Sequence, residues 1–303
     1  MLFGWERKIS GFPNCKKLSK GALYEDSGHI IHQSVRKGGI EGDHVISIAP
    51  IVIDPGTIVK ETIQGKCAFI GNLYSQYGHF ITEGLSGLYD FEHLNQYDHL
   101  LMYPFIHNGG STNMLPYQTW FFEKLGIEHS KIKFIKKETR IEFVAVYKQQ
   151  WTINYSVSDL IKPVYGKIRE CIMNKKFDNC KFYLSKKKQN RIQNFEEVEM
   201  IFSERGFSVV YPETMTMDEQ MSIYKGDNIV VSSSGSSMHN ILFGGSNTKF
   251  IELGDNRTPQ TPISMQILAN SISESAYEFI PFRTKDGKSW DVEHLGKILD
   301  RIL

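Results

Sequence analysis

The chain has 303 residues, of which 41% are hydrophobic and 23% are charged, and its formal net charge at pH 7 is +1. This length and composition predict a globular protein of one or two domains with enough apolar side chains for two cores. The near-zero charge excludes a global electrostatic field that would draw the chain to nucleic acid or to an acidic membrane.

Cysteines and signal-like segments bear on redox state, metal binding and location. None of the four cysteines forms a Cys-x-x-Cys pair, and no His/Cys cluster has the spacing of a zinc site. We therefore expect a reduced, cytoplasmic setting and no metal site. The N-terminal segment MLFGWERKIS lacks an apolar signal core, and no apolar run reaches transmembrane length. If the protein works at a membrane, we expect it to be recruited there as a peripheral protein.

Residues 1–70 contain short β-like pieces between glycines and prolines, and we assign no chemistry to them. The next stretch, Gln76–Leu94, has the sequence QYGHFITEGLSGLYDFEHL and is predicted to be one amphipathic helix. At 100° per residue its apolar side chains cluster on one face, and His79 and Glu83 fall on the opposite face. These two residues are four apart, so their side chains can meet. The polar stripe either faces water or lines a cleft. In a cleft, one of the two residues would act as a base and the other would orient it.

Two glycines, Gly84 and Gly87, lie inside this predicted helix. Each costs about 1 kcal/mol relative to alanine in a helix interior. We therefore expect another part of the molecule or a ligand to approach the helix closely there.

The rest of the first half again alternates strands and helices, which predicts a second α/β unit. We interpret residues 148–157 as a linker, and we expect one domain over 1–157 and a second over 158–303. A connecting helix should follow the linker, and the apolar stripe in the last residues predicts a terminal helix. The predicted elements are the strands His99–Tyr103, Lys131–Ile135 and Ile141–Tyr147 and the helices Pro116–Leu125, Asp159–Phe177 and Trp290–Leu303.

In the second half, short apolar runs alternate with segments of helical period, the pattern of βαβ units around a parallel sheet. Capping signals support two of the helices: Asn194 with Glu197, and Thr216 with Glu219. Gly206 follows the end of the first of them, as a C-terminal glycine does. The predicted strands are Lys181–Ser185, Phe207–Tyr211, Asn228–Val231 and Lys249–Leu253.

A loop of serines around one glycine follows the strand Asn228–Val231 and precedes a helical segment, Met238–Phe243. Such a loop presents several backbone N–H groups at a helix N-terminus, where the partial positive charge suits a phosphate. The alternative is a turn that serves packing only. The candidate phosphate-binding residues are Ser233, Ser234, Gly235, Ser236 and Ser237.

A basic cluster, Lys186–Lys188 with Arg191, follows the predicted strand Lys181–Ser185. Ligands of α/β proteins bind beyond the carboxyl ends of the strands, so Lys186 and Arg191 are candidates for the same anion. The planar fork of Arg191 suits a diphosphate best. The alternative is a solvated basic loop.

The second half looks like a Rossmann-type domain whose strand ends could hold a nucleotide, and four further polar residues lie where they would meet it. Glu213 and Glu252 come after strands, and a carboxylate can accept two hydrogen bonds from hydroxyl groups of such a ligand. His239 and Asn240 lie one turn into the helix of the serine loop, within reach of the same ligand. Each carboxylate could equally be a solvated strand-end residue, and His239 a buried histidine with a protein partner.

Several of these motifs, in this order, resemble glycosyltransferase family 61. They run from YLS and its basic residues at Tyr183, through Arg-x-x-Asn-x-x-Glu-Val and GFxVVxPE, to the loop glycine, Asn-x-Leu-Phe and a closing IEL. The element YGHF-xx-E around His79 is similar to a motif in the family's N-terminal half. The resemblance covers roughly residues 70–255. This chain has Ser234 where the family has a histidine, Phe195 where it has a glutamate, and Lys186 where it has an arginine.

The resemblance implies an α/β fold of the GT-B type, with two Rossmann-like domains facing a cleft, and the apolar stripe of the last residues adds the C-terminal helix. It implies an inverting hexosyl- or pentosyltransferase that moves sugar from a nucleotide-diphosphate donor to a glycan, in polysaccharide or glycoprotein assembly. Glu83 or His79 would be the base. The chain has no Asp-x-Asp pair for a divalent ion on the donor, so we expect metal-independent transfer without a cofactor.

Two other classes of function stay open. Ser234 in place of the family's histidine would suit a catalytically inactive relative that binds a partner or a glycan, and donor hydrolysis would distinguish it from an enzyme. The run Gly235-Ser236-Ser237 suggests a serine hydrolase, but the second glycine of the nucleophile elbow is missing. Labelling by a fluorophosphonate would support that interpretation.

Overall fold

The computed structural model describes residues 2–4, 22–38, 44–45, 52–105, 113–173, 177, 180–187, 192–284 and 286–303. The chain divides into two compact units, Met1–Ile168 and Arg169–Leu303, called here unit 1 and unit 2. Each is a mixed α/β structure with parallel strands in its main sheet, as we expect for the α/β class. The domain boundary at residues 157 and 158 stays a prediction, as does the facing of two domains across a cleft.

The strands are short except for one long central strand in unit 1. They are β1 (Leu2–Gly4), β2 (Leu23–Tyr24), β3 (Lys37–Gly38), β4 (His44–Val45), β5 (Glu61–Tyr74), β6 (His99–Phe105), β7 (Ile132–Phe134), β8 (Thr139–Val146), β9 (Trp151–Thr152), β10 (Ser156–Val157), β11 (Lys181–Leu184), β12 (Ser208–Val210), β13 (Ile229–Ser233), β14 (Lys249–Leu253) and β15 (Ala276–Ile280).

Helical elements of three kinds connect them. The α-helices are α1 (Tyr77–His79), α2 (Phe91–Leu94), α3 (Pro116–Lys124), α4 (Lys162–Cys171), α5 (Phe195–Glu204), α6 (Met217–Ile223), α7 (Ser264–Ile272) and α8 (Val292–Ile302). A π-helix spans Phe80–Gly84, and 3-10 helices span His32–Ser34, Leu85–Leu88, His129–Lys131, Asp159–Ile161, Pro212–Thr214 and Met238–Phe243. Among the described residues, no helix is long and apolar enough to cross a bilayer.

The sheet of unit 1 has the order β2-β1-β8-β5-β6-β7. Strands β8, β5, β6 and β7 are parallel neighbours, and β1 pairs antiparallel with β8 and β2. The last eight residues of β5 are buried, as expected for a central parallel strand covered on both faces. Across the sheet the parallel strands lie in the order β7, β6, β5, β8. Numbered by their order in the chain this is 3-2-1-4, so the direction of winding reverses between β5 and β8. Open α/β sheets bind ligands at the carboxyl ends of the strands at such a switch point.

The predicted linker over residues 148–157 is wrong. It contains the hairpin of β9 and β10, and Trp151 is buried. Gln150 donates its backbone N–H to the Ser86 carbonyl at 3.4 Å, which ties the segment to the helical stretch after β5. Polar residues of this segment make hydrogen bonds to the helical stretch instead.

The single amphipathic helix predicted for Gln76–Leu94 is also wrong in detail. The stretch is helical but passes from α1 through the π-helix to a 3-10 turn before α2. In the π-helix the Leu85 N–H bonds the Phe80 carbonyl, so one extra residue is inserted and the polar stripe changes direction. Glu83 is fully buried, as are Phe80 and Leu85 of the predicted apolar face, so both faces of the stretch are covered by protein.

The close approach predicted at the two glycines is confirmed, and the neighbour is β5 itself. A Cβ on Gly87 would lie 2.1 Å from the Ile70 carbonyl oxygen, and one on Gly84 would lie 3.3 Å from the ring of Tyr74, the last residue of β5. The glycines therefore let the helical stretch lie directly on the central strand.

Unit 2 has a five-stranded, fully parallel sheet with the order β12-β11-β13-β14-β15. In chain order this is 2-1-3-4-5, a doubly wound arrangement whose switch point lies between β11 and β13. The core includes Tyr183 and Phe202, whose rings stack with centroids 4.3 Å apart. Leu295 and Leu299 of α8 are buried in the same cluster, which confirms the predicted terminal helix.

One of the two predicted helix caps is confirmed. Thr216 Oγ1 accepts from the Glu219 N–H at 3.3 Å, and the Glu219 carboxylate accepts from the Thr216 N–H at 3.0 Å. Asn194 precedes α5 as predicted, but its side chain does not cap the helix. It pairs with both backbone groups of Trp290, at 2.8 and 3.0 Å, because a two-point amide contact is available there.

Candidate active site

A buried carboxylate lies directly after the central strand of unit 1. β5 ends at Tyr74, and Glu83 follows one helical turn beyond His79, inside the π-helix. The Glu83 side chain is fully buried, so its negative charge must be met by the protein.

Arg36 supplies the balancing charge. Its Nε donates to Glu83 Oε1 at 2.6 Å and its Nη2 donates to Oε2 at 2.7 Å, a bidentate ion pair. The guanidinium also lies over the Tyr74 ring, 5.2 Å from the centroid. Arg36 is part of residues 1–70, where the sequence contains no recognisable catalytic or binding motif. Its partner lies 47 residues away, so no local motif signals it.

His79 is the member of this cluster that reaches solvent. Its Nδ1 lies 2.5 Å from Glu83 Oε2, and its side chain is 27% exposed. Since the carboxylate accepts, the hydrogen-bond network assigns the proton to Nδ1 and a lone pair to Nε2 in the neutral ring. Nε2 has no hydrogen-bond partner among the described residues. An imidazole held in one tautomer by a buried carboxylate has a lone pair that can accept a proton.

The pKa values in the cluster follow from burial and pairing. Burial acts to raise the pKa of Glu83, but the hydrogen bonds from His79 and Arg36, and their charges, outweigh it and hold the pKa below its usual range. Burial, with the nearby Glu83 charge, raises the pKa of Tyr74 well above its ordinary value. Glu83 is therefore ionised and Tyr74 neutral across the physiological range.

Gln149 closes the cluster from the neighbouring strand. It follows β8, and its Nε2 donates to the Glu83 carbonyl at 3.2 Å and to the Tyr74 hydroxyl at 3.4 Å. The site thus lies at the switch point between β5 and β8. Gln149 was missed because it falls in the segment interpreted as a linker.

In unit 2 the serine loop follows β13 at the carboxyl edge of the sheet. Ser233 ends the strand and is half-buried, Ser236 is exposed, and Gly235 has φ +151°, which favours glycine. The Ser237 and Ser232 hydroxyls lie 3.0 Å apart. Among the described residues, the backbone N–H groups of residues 235–237 have no acceptor. They are therefore available to an anion.

Ser234 and Glu252 lie under the loop. Ser234 is buried and its hydroxyl donates to Glu252 Oε1 at 2.6 Å, while the Tyr277 hydroxyl donates to Oε2 at 2.6 Å. Burial raises the pKa of Glu252, against the effect of these two hydrogen bonds. With both oxygens bonded and none exposed, Glu252 supports the loop from within the protein.

His239 and Asn240 are also buried beneath the loop. His239 Nδ1 lies 2.7 Å from Gln266 Oε1, which matches the alternative of a buried histidine with a protein partner. Asn240 Nδ2 donates to the Ser237 carbonyl and to the Tyr224 hydroxyl, each at 3.0 Å. Both side chains therefore lie beneath the end of the loop and not at its exposed residue, Ser236.

The segment after β11 lies on the other side of the switch point. Lys186 is exposed, and the Lys187 N–H donates to the exposed carboxylate of Glu213 at 2.7 Å. Glu213 follows β12, so the ends of three neighbouring strands carry candidate residues. Arg191 lies outside the described residues.

One cation at this edge was not singled out from the sequence. Arg257 follows β14; it donates to Asp255 Oδ2 at 2.7 Å and to the Ser234 carbonyl at 3.0 Å. The only sequence signal would have been a basic residue shortly after a strand. Among the described residues, no three His, Cys, Asp or Glu side chains are grouped to hold a metal ion.

A comparison with family models found one family that matches most of this chain. Residues 77–251 match the model described as Glycosyltransferase 61. The match covers more than half of the chain and includes His79, Glu83 and the serine loop. A comparison with curated proteins found no match.

Proposed function

Because the chain belongs to glycosyltransferase family 61, we propose that it transfers a sugar from a nucleoside-diphosphate donor to a hydroxyl group of a glycan. Membership identifies the protein as a glycosyltransferase that takes a sugar donor and an acceptor. The proposal adds the kind of donor, the course of the reaction and the residues that carry it out.

The donor diphosphate binds at the carboxyl edge of unit 2. The support is the strand order, which places the segment after β11 and the serine loop after β13 on the two sides of the switch point. The loop offers the N–H groups of residues 235–237, and Lys186 offers an exposed positive charge. Hydrogen-bond donors fixed where charge develops stabilise a departing diphosphate without reorganisation. Arg191 remains a proposed contact.

His79 is the base, and Glu83 orients it. The observation that carries this assignment is the chain from Arg36 through Glu83 to His79, which leaves Nε2 of a half-buried ring to face the acceptor. Glu83 itself is fully buried, with both oxygens bonded. Its charge stabilises the imidazolium that forms when His79 takes a proton.

The reaction is a single displacement. The acceptor oxygen attacks the anomeric carbon while His79 Nε2 takes the hydroxyl proton. The bond from that carbon to the diphosphate oxygen breaks, and the diphosphate leaves with the electron pair. Attack from the opposite face inverts the configuration through an oxocarbenium-like state. No metal is required, because the chain has no Asp-x-Asp pair and the leaving charge is met by N–H groups and cations.

The proposal has two broader elements, the domain arrangement and the biological setting. We propose that units 1 and 2 act as the acceptor and donor domains of a GT-B enzyme. We also propose polysaccharide or glycoprotein assembly in the cytoplasm as the setting. A crystal structure with a bound nucleoside diphosphate would test the first, and identification of the glycan acceptor the second.

The first experiment is a thermal-shift screen of the full chain against nucleotide sugars, followed by an assay of donor turnover. A ligand that binds only the folded state raises the melting temperature. We expect one nucleotide sugar to do so and to be consumed, by transfer or by slow hydrolysis. Binding without any turnover, with glycan acceptors supplied, would favour the inactive relative instead.

Replacing His79 with alanine tests the base. We expect the His79→Ala variant to lose about 10²- to 10⁴-fold in turnover, the range for a general base, and to keep its donor affinity. The control is His93→Ala, since His93 pairs with Asp90 at 2.6 Å in the same helical stretch but is 64% exposed. Turnover by His79→Ala equal to that of His93→Ala would remove His79 from the role.

A further inference from the structure

Arg257 lies beside the serine loop, at the end of the neighbouring strand. β14 pairs with β13 along its length, and the chain continues from Leu253 through Asp255 to Arg257. The carboxyl ends of parallel strands meet at one edge, so Arg257 lies on the ligand-binding edge of unit 2.

A buried carboxylate holds the guanidinium in place. Asp255 is fully buried, and its oxygens accept from Arg257 Nε at 3.3 Å and from Nη2 at 2.7 Å. Asp255 Oδ1 also accepts from the backbone N–H groups of Arg257 and Thr258, at 2.9 and 3.3 Å. A carboxylate fixed by its own backbone turn gives the arginine one orientation instead of many rotamers.

The same guanidinium contacts the loop directly. Arg257 Nη2 donates to the Ser234 carbonyl at 3.0 Å, so it lies against the peptide that joins Ser234 to Gly235. The next N–H groups along the loop are the ones without an acceptor among the described residues.

One end of the guanidinium is left for another partner. Arg257 Nη1 makes no hydrogen bond within the described part of the chain, and the side chain is 46% exposed. Nη1 has two N–H donors, and a guanidinium suits the oxygens of phosphates.

We propose that Arg257 contacts the diphosphate of the donor through Nη1, and that Asp255 positions it for this contact. The inference rests on the proposed function and extends it to a residue beyond the matched stretch 77–251. Arg257 would stabilise the charge that develops on the diphosphate as the sugar leaves.

The test measures nucleotide affinity of the full chain by titration calorimetry. The probes are UDP, GDP, CDP and dTDP with their monophosphates. We expect Arg257→Ala to weaken binding of the preferred diphosphate by about 10- to 100-fold, the size of a hydrogen bond to a charged group. Binding of the monophosphate should weaken less, and Arg257→Lys should recover part of the loss because it keeps the charge.

Arg205→Ala is the matched control. Arg205 also pairs with an aspartate, Asp300, at 2.9 Å, so its removal changes the net charge equally. It follows α5, which returns the chain to the amino edge of the sheet, away from the proposed site. We expect this variant to bind diphosphates as the wild type does.

Two results would overturn the inference about Arg257 without affecting the proposed function. One is wild-type diphosphate affinity in Arg257→Ala; the other is an equal loss for mono- and diphosphates, which would mean that Arg257 only shapes the loop. If the wild-type chain binds none of the eight nucleotides, the proposed diphosphate donor fails as well.

Discussion

At the scale of single residues, burial decides which group can act. Glu83 and His79 are within hydrogen-bond reach, yet only His79 has an exposed edge. The carboxylate has both oxygens bonded and carries its charge inside the protein. An exposed ion pair of the same residues would contribute little to the free energy of unfolding. Removing one partner of a buried pair, in contrast, leaves an uncompensated charge inside the protein.

We therefore expect Glu83→Gln to abolish transfer and to lower the free energy of unfolding at neutral pH. The glutamine side chain is neutral and leaves the buried charge of Arg36 without its partner, which costs about 3–5 kcal/mol. Donor binding in unit 2 should be unchanged. Transfer assays, nucleotide titration and denaturant unfolding would measure the three quantities, and retained turnover would contradict the role of Glu83.

The same residue predicts a pH dependence. The pKa of Glu83 is lower in the folded chain than its ordinary value of 4.5. Unfolding then takes up a proton once the pH approaches 4.5, so the stabilisation by Glu83 is present above that pH and is lost as the pH falls through the folded pKa. Unfolding followed from pH 7 to 3 should show the stability difference between wild type and Glu83→Gln shrinking in acid. A constant difference would contradict the prediction.

At the scale of elements, the helical stretch that follows β5 contains a π-helix, and it is packed in the interior with Glu83. A regular α-helix would keep the polar stripe on one face, as the 100° period predicts. The inserted residue and the two glycines let the stretch lie on the strand, with Gly87 closest to it. The site geometry thus depends on a helix–strand distance that only glycine allows.

Gly87→Ala should destabilise the fold, because its Cβ would lie 2.1 Å from the Ile70 carbonyl oxygen. Overpacking of this kind costs about 1–3 kcal/mol. The matched change is Gly166→Ala within α4, where nothing lies within 4 Å of the new Cβ. It should stabilise the fold by about 0.5–1 kcal/mol. Thermal unfolding of both variants would measure this, and shifts of the same sign would refute the packing argument.

At the scale of the whole molecule, each unit places its candidate residues at the switch point of a parallel sheet. In unit 1 the point lies between β5 and β8, and in unit 2 between β11 and β13. In each, the winding of the chain opens a crevice without any special sequence motif. The near-zero net charge adds no long-range field, so ligand binding should depend on these local groups.

Hydrogen exchange of the full chain with a bound nucleoside diphosphate would test the placement in unit 2. We expect added protection in residues 185–187 and 234–237, which flank the switch point, because a ligand there covers their N–H groups. The edge strand β15 should change little. Protection confined to β15 or to unit 1 would place the nucleotide elsewhere.

Local patterns in the sequence were sufficient to predict most helices and strands. Period and capping predicted β14 to the residue, the capping box at Thr216 and the terminal helix, because each depends on neighbours within one turn or one strand. The ordered motifs were sufficient for the family. The capping prediction failed at Asn194, where a distant backbone segment offered a better partner.

The tertiary structure alone brought Arg36 and Gln149 to Glu83, and Arg257 to the serine loop. These contacts join residues on different elements, so no spacing in the chain encodes them. It also determined that Glu83 is buried and His79 is half-exposed. The reason is physical: a side chain's charge and reach depend on what covers it, and the cover comes from strands and loops distant in sequence.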